Sequence, residues 1–210
     1  MATAFMLTAA TALVFFYAPV DQDGLNQKIF YFHVPIALTA YACFGWGALK
    51  AFMHLWKRVP TADLESYVAI HQGVIFGALT LVTGSIWAKV RWGHWWVWGD
   101  DQLVLFLFYC AYFMLRFSVD AGPQRANLCA VYALFGVVLI PISFLAIRLG
   151  KSYIHPTTFT SSGPQMATSQ FATFMVCFAA MLLLAYFLYR FELATKRLDA
   201  NIRELRELLT

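Results

Sequence analysis

Long apolar runs dominate this sequence and restrict the folds that it can adopt. Six of them can be drawn as membrane spans, near residues 3–19, 34–54, 70–88, 103–119, 126–147 and 169–190. Most approach the length that a helix needs to cross a hydrocarbon core about 30 Å thick. Charged residues make up only 12% of the chain, about half of what a soluble domain carries. The sequence therefore predicts a polytopic membrane protein.

The expected fold class is all-α, with six transmembrane helices in a membrane domain over residues 1–190. Backbone groups in lipid must be satisfied internally, which permits helices or closed barrels, and the alternating pattern of a barrel is absent. No Lys or Arg precedes Lys28, so we expect a first span and not a cleaved signal peptide. Residues 191–210 mix acids and bases around spaced leucines, which predicts a cytoplasmic amphipathic tail.

Lysines and arginines are unequally distributed between the two ends of the predicted helices. Ten lie at one end: Lys50, Lys57, Arg58, Arg116, Arg125, Arg190, Lys196, Arg197, Arg203 and Arg206. Five lie at the other: Lys28, Lys89, Arg91, Arg148 and Lys151. Because positive charge marks the cytoplasmic side, we expect both termini in the cytoplasm and the connections after spans 1, 3 and 5 outside.

The outward connection after span 3 contains the stretch R-W-G-H-W-W-V-W at residues 91–98. Four of the chain's seven tryptophans lie in it: Trp92, Trp95, Trp96 and Trp98. Drawn as a helix, the stretch sets the indoles on a little under half of the circumference, with His94 at the edge. We expect an amphipathic segment along the membrane surface. It is either an interfacial anchor, since tryptophan is enriched at membrane boundaries, or a platform for a flat apolar ligand.

Two further outward histidines flank this stretch in the predicted topology. His33 lies where span 2 begins and His155 just after span 5, each with a lysine within the five preceding residues and a proline within the two that follow. Pro35 would start the helix beside His33. Two neutral imidazoles with room between them suit iron in a porphyrin, whereas the ligand spacing of a zinc site is missing.

Other classes of site and protein receive little support from the sequence. The four cysteines form no C-x-x-C or C-x-x-C-H motif, so we expect packing residues and no covalent haem attachment. A di-haem cytochrome b anchor would need histidine pairs inside helices, and no histidine falls at the middle of a span. His54 and His71, at the cytoplasmic ends of spans 2 and 3, are interpreted as structural or solvated. A net charge of +4 spread over membrane-flanking positions does not indicate a nucleic-acid partner.

Residues 81–100, L-V-T-G-S-I-W-A-K-V-R-W-G-H-W-W-V-W-G-D, resemble the tryptophan-rich WWD segment of haem-handling membrane proteins in cytochrome c biogenesis. The stretch I-F-Y-F-H-V-P at residues 29–35 and an outward histidine before the last span also match that group. Within that group of proteins, a chain of about 210 residues with six spans resembles the cytochrome c maturation protein C family. The corresponding WWD haem-binding segment covers residues 81–101.

The resemblance implies haem b, bound non-covalently by the WWD segment and by His33 and His155 as axial ligands of the iron. The other implied binding residues are Lys28, Arg91, Trp92, Gly93, Trp95, Trp96, Trp98 and Asp100. The family's W-x-W-D is written W-V-W-G-D-D here, so the motif aspartate is Asp100 or Asp101. The haem propionates would pair with Lys28, Arg91 or Lys151.

The resemblance also implies the partners and the cellular location. The chain would present haem to a membrane-anchored haem chaperone at the periplasmic face of the bacterial inner membrane. An ABC-type ATPase, a permease and a small single-span accessory protein would complete the complex within the lipid bilayer. ATP hydrolysis would belong to the ATPase, so we expect no enzymatic activity here. The alternative is a permease-like structural subunit whose tryptophans only anchor it.

Overall fold

The computed structural model describes residues 1–20, 24–96, 101–149, 158–160 and 162–209. Its six α-helices are α1 Ala2–Ala12, α2 Phe30–Lys57, α3 Ala62–Trp92, α4 Asp101–Ser118, α5 Pro123–Leu149 and α6 Thr168–Leu208. A π-helical turn over Leu13–Tyr17 continues α1, and a 3-10 turn over Leu25–Ile29 leads into α2. A short antiparallel hairpin of β1 Phe159–Thr160 and β2 Gly163–Pro164 precedes α6.

Four helical segments of the described chain are long and apolar enough to cross a membrane. They are Leu25–Lys57, Ala62–Trp92, Pro123–Ile142 and Thr168–Leu208. Two shorter apolar helices cover Ala2–Tyr17 and Leu103–Ser118. The all-α class and the six helices are therefore confirmed, and a membrane crossing by each of the six stays a prediction.

Several helices extend beyond the predicted spans. α3 begins at Ala62 and not near residue 70, because Asp63 and Glu65 in its first turn interact favourably with the positive end of the helix dipole. α6 runs from Thr168 to Leu208 without interruption, so the predicted tail continues the last apolar helix. The expectation that Pro35 starts α2 is wrong, since the helix begins at Phe30 and Pro35 lies inside it.

Glycines allow α2 and α3 to pack closely along each other. A Cβ atom added to Gly73 would lie 2.5 Å from Cε1 of Phe44, and one added to Gly47 would lie 2.7 Å from Cγ1 of Ile70. The hydroxyl of Ser66 donates to the Gly47 carbonyl at 2.8 Å. Small residues of this kind let helix backbones approach within a membrane, where hydrophobic burial drives no association.

Phe44 extends this contact to α4 and α5. Its ring stacks on Tyr109 of α4 with centroids 3.6 Å apart and planes 3° apart, and both side chains are buried. A Cβ atom added to Gly136 of α5 would lie 2.8 Å from the Tyr109 hydroxyl oxygen. Aromatic rings facing glycines thus connect the four central helices, α2 to α5.

Ion pairs gather at the end of the bundle that we predict to face the cytoplasm. The Arg116 guanidinium donates two hydrogen bonds to the Asp63 carboxylate, at 2.8 and 2.9 Å, which join α4 to α3. The Glu65 carboxylate lies 2.8 Å from the charged groups of both Lys50 and Arg197, which joins α3 to α2 and α6. We call this region the ion-pair end.

Two histidines also connect helices near the ion-pair end. Nδ1 of His71 lies 2.8 Å from Oε2 of Glu192, between α3 and α6. Nε2 of His54 lies 3.2 Å from Oδ1 of Asn127, between α2 and α5. Both contacts agree with the structural role that the sequence suggested for these histidines.

Replacing Gly73 with Ala is expected to destabilise the bundle. Phe44 cannot withdraw from the new methyl group because Tyr109 packs against its other face, and overpacking of this kind costs about 1–3 kcal/mol. Thermal denaturation of the purified protein in detergent should show a lower Tm. Gly45→Ala in α2 is the matched control, because nothing lies within 4 Å of its added Cβ atom and alanine favours the helix. An equal fall of Tm in both variants would contradict the packing account.

Candidate functional site

The His33 side chain lies at the end of the bundle opposite the ion pairs, where α2 begins and α3 ends. The ring is half-buried, and its Nδ1 atom lies 2.9 Å from Oγ1 of Thr83 on α3. The Thr83 hydroxyl lies 2.8 Å from the Leu79 carbonyl oxygen and 3.2 Å from that of Thr80. The histidine of α2 is therefore held by a hydroxyl that is itself bonded to α3.

Gly84 provides the surface against which the His33 ring lies. A Cβ atom added at Gly84 would be 3.0 Å from Cε1 of the ring and 3.7 and 3.8 Å from its two nitrogens. The imidazole thus lies against bare helix backbone, and a larger residue at this position would push it away. Thr83 and Gly84 together determine where this imidazole can lie.

The tryptophan-rich stretch begins at the C-terminal end of the same helix, α3. Trp92 is the last helical residue, and Gly93 follows with a φ of 81° in the left-handed region. The Lys89 ammonium donates to the Gly93 carbonyl at 2.9 Å and lies 5.8 Å from the centroid of the Trp95 ring. Lys89 therefore stabilises both the turn after α3 and the position of the Trp95 indole.

The prediction of one helix across the tryptophans is wrong over residues 92–96, the part that the structure describes. A helix requires a φ of about −63° at residue 93, whereas Gly93 adopts the mirror-image region, which costs glycine little. Trp95 is 58% exposed, while Trp92 and Trp96 are half-buried. The predicted place of His94 at the edge of a helical aromatic face is lost with that helix, and its side chain is exposed.

The two described basic residues that we expected to pair with propionates differ in accessibility. Lys28 is only 4% exposed, and its ammonium donates to the Ala18 carbonyl after the first helix. Arg91 lies in the last turn of α3 and is exposed, as is Lys89. Positive charge is thus accessible on α3, whereas the Lys28 ammonium stabilises the connection between α1 and α2 through its hydrogen bond to Ala18.

Part of the predicted site lies outside the described residues, namely Trp98, Asp100, Lys151 and His155. The spatial relation of His33 to His155 therefore stays a prediction. Within the described ranges, no group of three or more His, Cys, Asp or Glu side chains could hold a metal ion. Among the described residues at this end, His33 is the histidine whose ring bonds to a neighbouring helix.

Thr83, Gly84 and Lys89 belong to the site although the sequence suggested no role for them. All three lie in the stretch that resembles the WWD segment. Adjacent small residues in an apolar helix, such as Thr83 and Gly84, are typical of close helix contacts. This signal indicates that another helix approaches, but it does not identify the residue that the helix brings.

Comparison with known proteins gives a match over nearly the whole chain. The CcmC family model, described as "Heme exporter protein C", matches residues 1–207. Heme exporter protein C of Escherichia coli (strain K12) is 33% identical over 152 residues, which are 70% of this chain and 62% of that protein.

Two further relatives align over a larger share of both chains. Heme exporter protein C of Paracoccus denitrificans is 31% identical over 204 residues, or 90% of this chain and 83% of the relative. That of Rhodobacter capsulatus is 29% identical over 210 residues, or 93% and 86%. The chain thus spans less than two thirds of the Escherichia coli protein and most of the other two. It belongs to the heme exporter protein C family of multi-pass membrane proteins.

Proposed function

We propose that this protein binds haem b without a covalent bond and presents it to a membrane-anchored haem chaperone during the maturation of c-type cytochromes. Haem is the cargo, and the protein itself catalyses no reaction. The observation that carries the proposal is the position of His33. Its imidazole lies against Thr83 and Gly84 of the helix that ends in the tryptophan-rich stretch.

The tryptophans fit a flat apolar cargo. With a rise of 1.5 Å per residue, Trp92 lies about 12 Å beyond Gly84 along α3. The indoles therefore begin about two helical turns beyond the level of the His33 ring. The Trp95 ring is largely exposed and is held by Lys89. An exposed indole can stack on a macrocycle, which favours offset aromatic contacts. The turn at Gly93 presents this ring outside the helix.

The polar residues of this end fit the iron and the propionates of haem. Imidazole nitrogen is a common axial ligand of haem iron, and two such ligands, His33 and His155, would make the iron six-coordinate and low-spin. Arg91 on the exposed surface of α3 suits a propionate, because guanidinium binds carboxylate in a fixed, two-pronged geometry. The buried ammonium of Lys28 instead orders the chain just before His33.

In the proposed orientation, the haem site lies on the periplasmic side of the inner membrane. All six helices would cross the bacterial inner membrane, with both termini in the cytoplasm. The cations of the ion-pair end, among them Lys50, Arg116 and Arg197, would then follow the positive-inside rule. His33 and the tryptophans would face the periplasm, where a membrane-anchored chaperone can reach them.

The proposed partners follow from the same role. The haem chaperone would receive the cargo at the tryptophan-rich end. An ATPase, a permease and a small single-span protein would associate with this chain in an ABC-transporter-type complex. ATP would be hydrolysed by the ATPase, and this chain would only bind and present haem.

Replacing His33 or His155 with Ala should remove the low-spin bis-histidine signature of the haem-loaded protein. Each change deletes one of two axial ligands, so the iron becomes five-coordinate or takes up a weaker ligand. Optical absorbance and resonance Raman spectra of the purified protein measure the change, and added imidazole should partly restore the low-spin form.

His94→Ala is the matched control, because His94 is exposed at the same end and has no proposed role on the iron. Its spectrum should equal that of the unchanged protein. A low-spin spectrum that survives loss of both His33 and His155 and disappears in His94→Ala would contradict the ligand assignment. Colourless protein from haem-replete cells would instead favour a permease-like structural subunit.

Replacing Trp95 and Trp96 together with Ala should lower haem transfer to the chaperone while the protein remains inserted. Each aromatic contact contributes about 0.5–1.5 kcal/mol beyond area burial, so we expect a partial loss. Transfer is measured with purified chaperone and haem-loaded protein. Trp56→Ala is the control, since this exposed tryptophan lies at the end of α2 near the ion pairs. If the tryptophans are only interfacial anchors, transfer will be the same in all variants.

A further inference from the structure

The Thr83 hydroxyl bonds to the His33 ring, in addition to filling space between α2 and α3. We propose that Thr83 is a positioning residue, which holds neutral His33 in the tautomer with a proton on Nδ1 and the lone pair on Nε2. The inference rests on the proposed function in one respect: it makes Nε2 of His33 the atom that binds haem iron.

The count of protons around the Thr83 hydroxyl determines the tautomer. Its oxygen lies 2.8 Å from the Leu79 carbonyl oxygen, a usual length for an O–H···O hydrogen bond. A carbonyl oxygen has no proton, so the hydrogen in this contact must be that of Thr83. The Thr80 carbonyl, 3.2 Å away, competes for the same hydrogen.

The contact between Thr83 and His33 needs a second proton. Oγ1 of Thr83 lies 2.9 Å from Nδ1 of His33, and the hydroxyl has already directed its only hydrogen at its own helix. The hydrogen between these two atoms must therefore belong to His33, so Nδ1 donates and the Thr83 oxygen accepts. In a neutral imidazole the other nitrogen, Nε2, then carries the lone pair.

This arrangement is the one that a metal-binding histidine needs. A histidine that ligates a metal usually donates its other ring N–H to a fixed acceptor, which sets the tautomer and the ring orientation. In this chain the acceptor is Thr83, and Gly84 leaves room for the ring to lie close to α3. The ligand atom of His33 is thus selected before any cargo arrives.

Thr80 offers a matched control one turn earlier on the same helix. Its hydroxyl donates to the Phe76 carbonyl at 2.9 Å, in the same manner as Thr83 bonds to Leu79. Thr80→Val and Thr83→Val therefore remove the same kind of helix hydrogen bond and keep the shape of the side chain. Thr83→Val also removes the acceptor for the His33 N–H, which Thr80→Val leaves in place. Thr83→Ser keeps a hydroxyl acceptor at this position.

The first experiment uses the haem-free full-length protein. Nitrogen NMR of ¹⁵N-histidine-labelled protein in detergent, with His33 assigned through His33→Gln, reports which ring nitrogen carries the proton. We expect Nδ1–H in the unchanged protein, in Thr80→Val and in Thr83→Ser, and a tautomer mixture in Thr83→Val. An Nε2–H ring in the unchanged protein, or an unaltered tautomer in Thr83→Val, would overturn the inference.

The second experiment uses the haem-loaded protein and measures haem loss to an excess of apomyoglobin. Removal of the outer partner of a ligating histidine typically costs about 10–100-fold in affinity, so Thr83→Val should release haem at least about tenfold faster than Thr80→Val. Thr83→Ser should stay near the unchanged protein. Equal release by Thr83→Val and Thr80→Val would overturn the role of Thr83 in binding.

The two experiments distinguish failure of this inference from failure of the proposed function. If the unchanged protein binds no haem, the proposed function and the role of Thr83 in binding fail together, while the NMR result still decides the tautomer. If haem binds through His33 and neither the tautomer nor the release rate responds to Thr83→Val, the function stands and this inference fails.

Discussion

The close approach of α2 to α3 is the contact on which the proposed site depends. Gly47 and Gly73 let the two helix backbones come near each other, and Phe44 fills the groove between them while stacking on α4. At the far end of the same contact, His33 of α2 meets Thr83 of α3. A shift of one residue between the helices would separate this pair, because neighbouring helix positions face directions about 100° apart. Packing in the apolar centre therefore sets the geometry of an imidazole at the end.

The two ends of the bundle are chemically different. At one end, charged side chains from four helices form ion pairs, and the Arg116–Asp63 pair is partly buried. Loss of one partner from such a pair is strongly destabilising, so this end favours a fixed arrangement. The other end carries a half-buried histidine, exposed positive charge on α3 and exposed indole surface. A rigid end and an accessible end suit a protein that holds a cargo at one face of a membrane and passes it on.

Much of this organisation could be predicted from the sequence, because apolar length and charge bias are local properties. They indicated the six helices and predicted that His33 and the tryptophans lie at the same end of the bundle. The break at Gly93 was missed, although a glycine just after a helix that ends in basic residues is a common stop signal. The roles of Thr83 and Gly84 could not be predicted, since they depend on the register between two helices. The sequence suggested Lys28 as a propionate partner, and only the fold brings its ammonium to the Ala18 carbonyl.

The location of the iron tests the central claim most directly. Pulsed electron paramagnetic resonance can measure the distance from low-spin ferric haem to a spin label at His94→Cys or at Thr61→Cys, with the native cysteines replaced. These two positions flank α3, whose 31 residues extend about 46 Å. The account predicts a short distance to the label at residue 94 and one longer by most of that helix length to the label at residue 61. Equal distances, or an iron nearer to residue 61, would contradict a haem site at His33.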